Sequence, residues 1–318
     1  MELNRRSFVK TAAVAPLAAT VAPTQSWAEG HGSTQGAALY ATPLGRYRIT
    51  ALLDGIAPLG RGFFFGPDAA AIDGFIADAG LGPDILPAPV TAYLLQSDDR
   101  TILIDAGMGA LDILGPGFGR MFAGLTAAGV APDAIDTVII THLHPDHIGG
   151  LLTDDSVAFP NAEVIVAEVE AGFWTDAGIA AQAPADAQGL FQLAQSSLAA
   201  YGDAVRLVAD GAEVAPGVTL SLSPGHTPGH SVLRIDGGDQ QLMMIADTVH
   251  NADLHLALPQ TGFGFDTDAA QAVESRLRLF DMVSADYMLV AGSHIHFPGF
   301  GRVLTAGDAY RFAPATWL

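Results

Sequence analysis

Short apolar runs alternate along the chain with longer segments of helical periodicity. The runs are rich in Val, Ile, Leu and Thr and are bounded by Gly, Pro or Asp, a pattern that predicts β-strands. The predicted strands cover residues 47–53, 90–96, 101–105, 137–141, 163–167, 218–222, 231–235, 241–245 and 287–291. Helices are predicted over 118–128, 187–200 and 268–283, and the last of these has an apolar stripe opposite its charges.

The order of these elements indicates the fold class. Gly237-Gly238 separates two predicted strands and is typical of a hairpin turn. Strands and helices alternate irregularly, which predicts an α/β fold with sheets covered by helices on their outer faces. No internal repeat or linker divides the chain, and we interpret 63–80 and 174–189 as loops or insertions. We therefore predict one domain over 41–318, preceded by a flexible Gly-, Ser- and Ala-rich leader at 29–40.

The first 28 residues have the features of a targeting segment. Paired arginines at Arg5-Arg6 precede an apolar run at 11–22, and Ser26-Trp27-Ala28 offers small residues for a signal peptidase. The arginines with Phe8 and Lys10 resemble a twin-arginine signal. The resemblance implies a periplasmic or secreted protein whose first partner is the twin-arginine export machinery. The alternative is a short N-terminal helix that stays attached.

Composition narrows the range of partners and of metal ligands. The chain has 14 Lys and Arg against 34 Asp and Glu, a net charge of −20, and it has no cysteine. A surface this acidic repels phosphate backbones and anionic lipid, so we expect no nucleic-acid partner. No later apolar run is long enough to cross a bilayer, so we expect no membrane association after processing. Without thiolates, a metal would be held by His and carboxylate side chains.

Donor side chains are concentrated in residues 141–150, which read THLHPDHIGG directly after a predicted strand. His142 and His144 would point to the same face of that strand. The following proline would end the strand, and Asp146 and His147 would lie where two glycines let the chain turn. Three imidazoles and a carboxylate in this spacing suit zinc or a similar divalent ion. The alternative is a chance histidine cluster on a surface loop.

Further donors follow other predicted strands. His226 comes after 218–222, Asp247 after 241–245, and His294 after 287–291. A single residue of this kind is more often part of a turn, but the set at several strand ends predicts a shared site.

The motif of residues 142–147 together with these later residues resembles the metallo-β-lactamase superfamily, and Ile104-Asp105-Ala106-Gly107 resembles its preceding strand-end motif. The resemblance implies a four-layered αβ/βα sandwich with the site at one edge of the sheets. It also implies two metal positions and one bridging carboxylate, with His230 behind the ligands and His296 outside them. The implied ligands are His142, His144 and His226 for the first ion, Asp146, His147 and His294 for the second, and Asp247 for both.

The spacing from His226 to Asp247 and on to His294 is similar to the branch that contains methyl parathion hydrolase and dihydrocoumarin lactonases. We therefore expect a hydrolase in which two divalent ions, zinc by default, share a hydroxide that attacks a hydrophobic lactone or aryl ester. Phosphotriesters are a secondary candidate substrate. Asp146 would pass a proton to the leaving group, and His250 would donate a hydrogen bond to the substrate or its developing oxyanion, unless it is structural.

An apolar pocket is expected to receive the substrate, with aromatic walls from Phe64, Phe65 and Trp174, although packing in the core is the alternative for each ring. Other hypotheses remain: a glyoxalase II-like thioesterase, a di-iron redox protein and a non-catalytic metal-binding protein. Few basic residues disfavour the thioesterase, and the lack of a flavin domain disfavours the redox protein. The sequence leaves open whether the protein forms a homodimer.

Overall fold

A computed structural model of the protein describes residues 36–82, 85–154, 156–185 and 187–316. The predicted signal segment at 1–28 and the first part of the predicted leader lie outside these residues. The segment Ala37–Leu318 forms one compact unit. Its first strand begins at Leu39, within the stretch predicted as leader.

The strands are β1 (Leu39–Leu44), β2 (Tyr47–Leu59), β3 (Phe64–Phe65), β4 (Leu86–Gln96), β5 (Thr101–Ile104), β6 (Thr137–Ile139), β7 (Leu152–Thr153), β8 (Ser156–Val157), β9 (Glu163–Ala167), β10 (Val205–Val208), β11 (Glu213–Ala215), β12 (Val218–Leu222), β13 (Ser231–Asp236), β14 (Gln241–Met244), β15 (Gly262–Phe263), β16 (Leu289–Ala291), β17 (Gly301–Ala306) and β18 (Ala309–Pro314). The α-helices are α1 (Ala69–Asp78), α2 (Met121–Ala127), α3 (Pro145–Ile148), α4 (Glu168–Thr175), α5 (Ala177–Gln182), α6 (Gln188–Tyr201), α7 (Ala252–Ala257) and α8 (Ala269–Ala285).

Two seven-stranded mixed sheets form the centre of the molecule. The first has the order β1-β2-β4-β5-β6-β9-β10 and the second the order β11-β12-β13-β14-β16-β17-β18. The strands β13 and β14 pair antiparallel, which confirms the hairpin predicted at Gly237-Gly238. Two-stranded ladders join β3 to β15 and β7 to β8.

Alternation of side chains along the strands produces a layered core. On β5, Ile102 and Ile104 face the second sheet, whereas Leu103 packs under the helices. The first sheet is covered on its outer face by α2, α4 and α6, and the second sheet packs against α7 and α8. The result is a helix–sheet–sheet–helix sandwich, which confirms the predicted α/β fold class.

The predicted loops contain more regular structure than expected. Residues 63–80 include β3 and α1, and Asp68 caps α1 by accepting a hydrogen bond from the backbone N–H of Ala71. Residues 174–189 include α5, which Asp176 caps in the same way. Both helices are short and Ala-rich, so they lack the long apolar stripe from which helices are predicted. Among the described residues, no helix is long and apolar enough to span a membrane.

Candidate metal centre

The histidine-rich segment runs from the end of β6 into α3. The strand ends at Ile139, so His142 and His144 lie in the loop that follows it and not on the strand itself. Proline 145 was expected to end a strand but occupies the first turn of α3, where a missing backbone N–H costs nothing. Asp146 and His147 are therefore helical, and the short helix turns both side chains toward the loop histidines.

Gly149 and Gly150 serve close packing and not the sharp turn that the sequence suggested. A Cβ on Gly149 would lie 2.2 Å from the carbonyl oxygen of Met108, and one on Gly150 would lie 2.1 Å from that of Ala106. Any side chain at either position would push the segment after β5 away from α3.

Three imidazoles converge at one side of the site. Nδ1 of His144 lies 3.1 Å from Nε2 of His142 and 2.9 Å from Nε2 of His226. All three residues are buried. Nitrogen ligands held at 2.0–2.1 Å in a tetrahedral zinc site are roughly 3.3 Å from one another. The three rings are thus spaced as ligands of one cation would be.

Asp247 lies between this group and a second one. Its Oδ1 is 3.1 Å from Nε2 of His147, and its Oδ2 is 3.1 Å from Nε2 of His294. The same Oδ2 is 3.4 Å from Nε2 of His226. Asp146 completes the second group, with its Oδ2 3.5 Å from Nε2 of His294. The structure therefore brings together all seven predicted ligands, and Asp247 has the position of a bridge.

The outward-facing ring nitrogens of three histidines are fixed by hydrogen bonds. Nδ1 of His147 lies 2.8 Å from Asp105, Nδ1 of His226 lies 3.0 Å from Asp266, and Nδ1 of His294 lies 2.7 Å from the carbonyl oxygen of Pro89. An acceptor at Nδ1 requires the proton there and leaves the Nε2 lone pair directed into the site.

His230 supports the site from behind, as the sequence analysis expected. Its Nδ1 donates to the carbonyl oxygen of Ser223 at 2.9 Å, and its Nε2 accepts the backbone N–H of Asp247 at 3.1 Å. Burial lowers the pKa of His230 to about 4, so the ring is neutral at pH 7 and can accept this bond. His296 is exposed and pairs with Asp253 at the surface.

The buried side chains of the site offer lone pairs and carboxylate charge that a cation would bind. Burial lowers the pKa of His142 and of His144 well below the usual value for histidine. Burial would raise the pKa of Asp247, but the adjacent His147 and His294 hold it well below its usual range. Nε2 of His147 and Oδ1 of Asp247 lie 3.1 Å apart without the alignment of a hydrogen bond, and neither bonds any other described residue. Converging lone pairs and buried unpaired acceptors fit divalent ions.

The site forms the floor of a cavity of about 300 Å³ with mostly apolar walls. No Lys or Arg is among its described lining residues. Phe263 and Leu190 form part of the wall, and the exposed side chains of Ile113 and Phe265 lie at the rim. The full lining is Ala57, Leu59, Ala88, Ile113, Leu114, His144, Pro145, Asp146, Leu190, His226, Asp247, His250, Phe263, Phe265 and His294.

The aromatic residues predicted for the walls lie elsewhere. Phe64 is buried behind Phe263, with ring centroids 5.3 Å apart, and Phe65 points to solvent. Trp174 points from α4 into the core beside Phe191 of α6, and its ring meets that of His144 edge-on at 5.5 Å. The antiparallel β3–β15 ladder explains the difference, because it places Phe64 beside Phe263, which occupies the wall instead.

Sequence reasoning missed two carboxylates that organise the ligands. Asp266 fixes His226, and Glu170 accepts hydrogen bonds from the two loops that carry His142, His144 and His226. Asp266 follows β15 in a Gly- and Phe-rich loop, and nothing in the sequence around it indicated a contact with a metal ligand. Glu170 lies on a helix that the apolar pattern did not reveal.

Comparison with known proteins gives the family. Residues 85–294, more than half of the chain, match the family model described as Metallo-beta-lactamase superfamily. An N-acyl homoserine lactonase from Bacillus sp is 26% identical over 236 residues, covering 66% of this chain and 83% of the lactonase.

Two solved structures share the fold over nearly their full length. The hydrolase AbOPH, described as in the beta lactamase superfamily, aligns with a TM-score of 0.83 and 29% identity, covering 89% of this chain and 99% of AbOPH. AidC, described as a dizinc quorum-quenching lactonase, aligns with a TM-score of 0.82 and 25% identity over the same shares of the two chains. On the match to the family model, and with the sandwich and the histidine–aspartate centre described above, the chain belongs to the metallo-beta-lactamase superfamily.

Proposed function

We propose that this protein hydrolyses uncharged, apolar lactones or aryl esters with the help of two divalent ions. Zinc is the metal that fits the ligand set best. The observation that carries the proposal is the position of the histidine–aspartate cluster at the floor of an apolar cavity. Lactonases of similar sequence and fold support the same reaction class.

The ligand set supports zinc. His142, His144 and His226 would hold one ion, Asp146, His147 and His294 the other, and Asp247 both. Imidazole nitrogens with a few carboxylates are the ligands that zinc prefers when thiolates are absent. Such a pair of ions supplies an activated water and polarises the carbonyl or phosphoryl oxygen of a substrate.

The cavity walls support a neutral substrate. An anionic substrate normally meets a cationic side chain that offsets the cost of removing its charge from water. The described lining offers no Lys or Arg to pair with an anionic substrate. This arrangement disfavours the thioesterase with an anionic thiol substrate. A neutral phosphotriester fits the same walls, in line with the methyl parathion hydrolase branch, and we keep it as a secondary substrate.

Turnover of a small substrate panel tests this proposal. The panel holds an aryl lactone, an acyl-homoserine lactone, an aryl ester, a phosphotriester, a β-lactam and a glutathione thioester. We expect the highest kcat/KM for one of the neutral lactones or the aryl ester, and the lowest for the charged thioester. A preference for the thioester or the β-lactam, or no turnover of any compound by protein that contains two metals, would contradict the proposed substrate class.

We infer that Asp146 moves a proton to the leaving group, since it lies at the cavity floor and its side chain is the more exposed of the two aspartates there. Asp146→Asn should therefore slow an alkyl lactone by on the order of 10²-fold, the usual contribution of a general acid. An aryl ester, whose leaving group needs little protonation, should slow by less than about tenfold. Metal content is measured in the same samples, and equal losses for both substrates would contradict the assigned role.

His250 lines the cavity, and one of its ring nitrogens has no partner among the described residues. It stacks on Phe263 at a centroid distance of 3.7 Å, its Nε2 lies 3.2 Å from Oδ2 of Asp247, and its Nδ1 makes no hydrogen bond with a described residue. Burial lowers the pKa of His250 to about 3, which keeps the ring neutral at pH 7 with one N–H to donate.

His250→Leu removes that donor, and we expect kcat for a lactone to fall by on the order of 10²-fold, as for the loss of an oxyanion donor. His250→Asn keeps a donor and should lose less. Turnover of the lactone by both variants, at equal metal content, is the measurement. Unchanged turnover in the leucine variant would contradict the donor role and show that His250 is only structural.

A further inference from the structure

Glu170, on the first turn of α4, connects the two loops that carry the three-histidine group of His142, His144 and His226. Its side chain is fully buried. Oε1 accepts the backbone N–H of Leu143 at 2.9 Å, between the first two histidines. Oε2 accepts the hydroxyl of Thr227 at 2.7 Å and the backbone N–H of Gly229 at 2.9 Å, next to the third histidine. One carboxylate thus joins segments that are more than 80 residues apart, as the 82-residue separation of His144 and His226 shows.

The carboxylate has no cationic partner among the hydrogen bonds of the described residues. Its fourth donor is Nε1 of Trp174 at 2.8 Å. Burial raises the pKa of the Glu170 carboxyl, and the four hydrogen bonds act in the opposite direction. Burying an acid in the core in this way is costly, and an apolar side chain would fill the space without that cost. An apolar side chain, however, could not accept the hydrogen bonds from the ligand loops.

The packing around Glu170 leaves little freedom for the second loop. A Cβ on Gly229 would lie 2.3 Å from the backbone nitrogen of Glu170. The loop after His226 therefore lies directly on the backbone of α4. Trp174 is held by the same carboxylate and meets the ring of His144 edge-on. Movement of the carboxylate would consequently move ligand loops on both sides of the three-histidine group.

We propose that Glu170 is a positioning residue that sets the metal affinity of the three-histidine group by fixing its two loops relative to each other. The inference rests on the metal ligation proposed above, but it concerns only one of the two positions. The group of Asp146, His147 and His294 is held by other contacts, among them those of Asp105 and of the Pro89 carbonyl. Loss of Glu170 should therefore affect the two positions unequally.

Glu170→Gln tests the proposal with the smallest change of shape. The amide oxygen can accept the two hydrogen bonds that Oε1 accepts in the wild type, from Leu143 and Trp174. The Thr227 hydroxyl can rotate and accept a hydrogen bond from the amide nitrogen. The N–H of Gly229 would then face another N–H. We expect zinc affinity at the three-histidine position to fall about 10- to 100-fold, the usual effect of removing a partner that orients metal ligands. Affinity at the other position should change less than about threefold.

Zinc competition with a chromophoric chelator gives both affinities in the full-length protein. Emission from Trp174 identifies the three-histidine position, because its ring lies 5.5 Å from that of His144. A Trp174→Phe variant supplies the background from the other two of the three tryptophans. The matched control is Glu168→Gln, an exposed glutamate on the same helical turn, for which we expect both affinities to stay unchanged.

If Glu170→Gln does not fold, Thr227→Val replaces it, since that change removes a single donor and keeps the carboxylate. It should weaken the same position in the same direction. Unchanged affinity at the three-histidine position, or equal loss at both positions, would overturn the inference. Wild-type protein that binds no zinc would instead overturn the proposed function, and this inference with it.

Discussion

Replacing Asp247 with asparagine should lower kcat/KM for the best lactone or ester by on the order of 10³-fold or more. The oxygens of Asp247 lie 3.1 Å from Nε2 of His147 and of His294, and Oδ2 is also 3.4 Å from Nε2 of His226, so the side chain lies between the two sets of donors. Asparagine keeps one oxygen but no negative charge, so it would hold two cations much more weakly than the carboxylate does. Metal activation contributes several kcal/mol to such reactions, and each 1.36 kcal/mol corresponds to a factor of ten.

The measurement is kcat/KM together with the metal content of the same sample. Asp253→Asn is the matched control, because Asp253 lies only three residues beyond His250 but pairs with the exposed His296 at the surface. We expect this control to stay within about twofold of the wild type, since surface substitutions have small effects. An Asp247→Asn enzyme with half or more of the wild-type activity would contradict a bridging role.

Replacing Arg276 with leucine should give the largest loss of stability. This arginine is buried in α8 and donates to three carbonyl oxygens, those of Thr248 at 2.8 Å, Pro259 at 2.9 Å and Thr261 at 2.7 Å. Burial lowers its pKa to about 10, so the guanidinium still carries its charge at pH 7. These bonds hold the segment 248–261, which includes His250.

Leucine would leave the three carbonyl groups buried without partners, and the expected loss is about 3–5 kcal/mol in the free energy of unfolding. Urea unfolding followed by circular dichroism measures it. Arg278→Leu, two residues further along the same helix and exposed, should change the free energy by less than about 0.5 kcal/mol. Equal effects of the two substitutions would show that the carbonyl contacts of Arg276 contribute little.

The strand-end ligands were predictable because their signal is local. His226, Asp247 and His294 each follow a run of apolar residues within a few positions, and the ends of neighbouring strands meet at one edge of a sheet. The same reasoning failed in detail at His142 and His144. It extended β6 to Thr141, whereas the strand ends at Ile139 and the chain runs through a loop into α3.

The cavity wall could not be predicted from local pattern, because it depends on pairing across a long stretch of chain. Phe64 and Phe263 are neighbours only through the β3–β15 ladder, and which of the two rings faces the cavity is decided by that pairing. A run of phenylalanines between glycines indicates an apolar surface but not which side of it is covered.

The buried carboxylates show a further limit. Glu170 and Asp266 are separated from the histidines they support by tens of residues, and their environments are set by tertiary packing. A glutamate on a helix is normally exposed, so its type gives no reason to expect burial. Only the four donors around Glu170 in the folded chain reveal its position behind the ligand loops.

The claim that two divalent ions are held by the seven histidine and aspartate side chains has one most direct test. Purified wild-type protein is analysed for metal by mass spectrometry, and turnover of its best neutral substrate is followed through chelation and re-addition of zinc. The account predicts two ions per chain, loss of turnover as they are removed, and recovery as zinc is restored. Turnover that persists after both ions are removed would contradict it, as would a chain that binds no divalent metal.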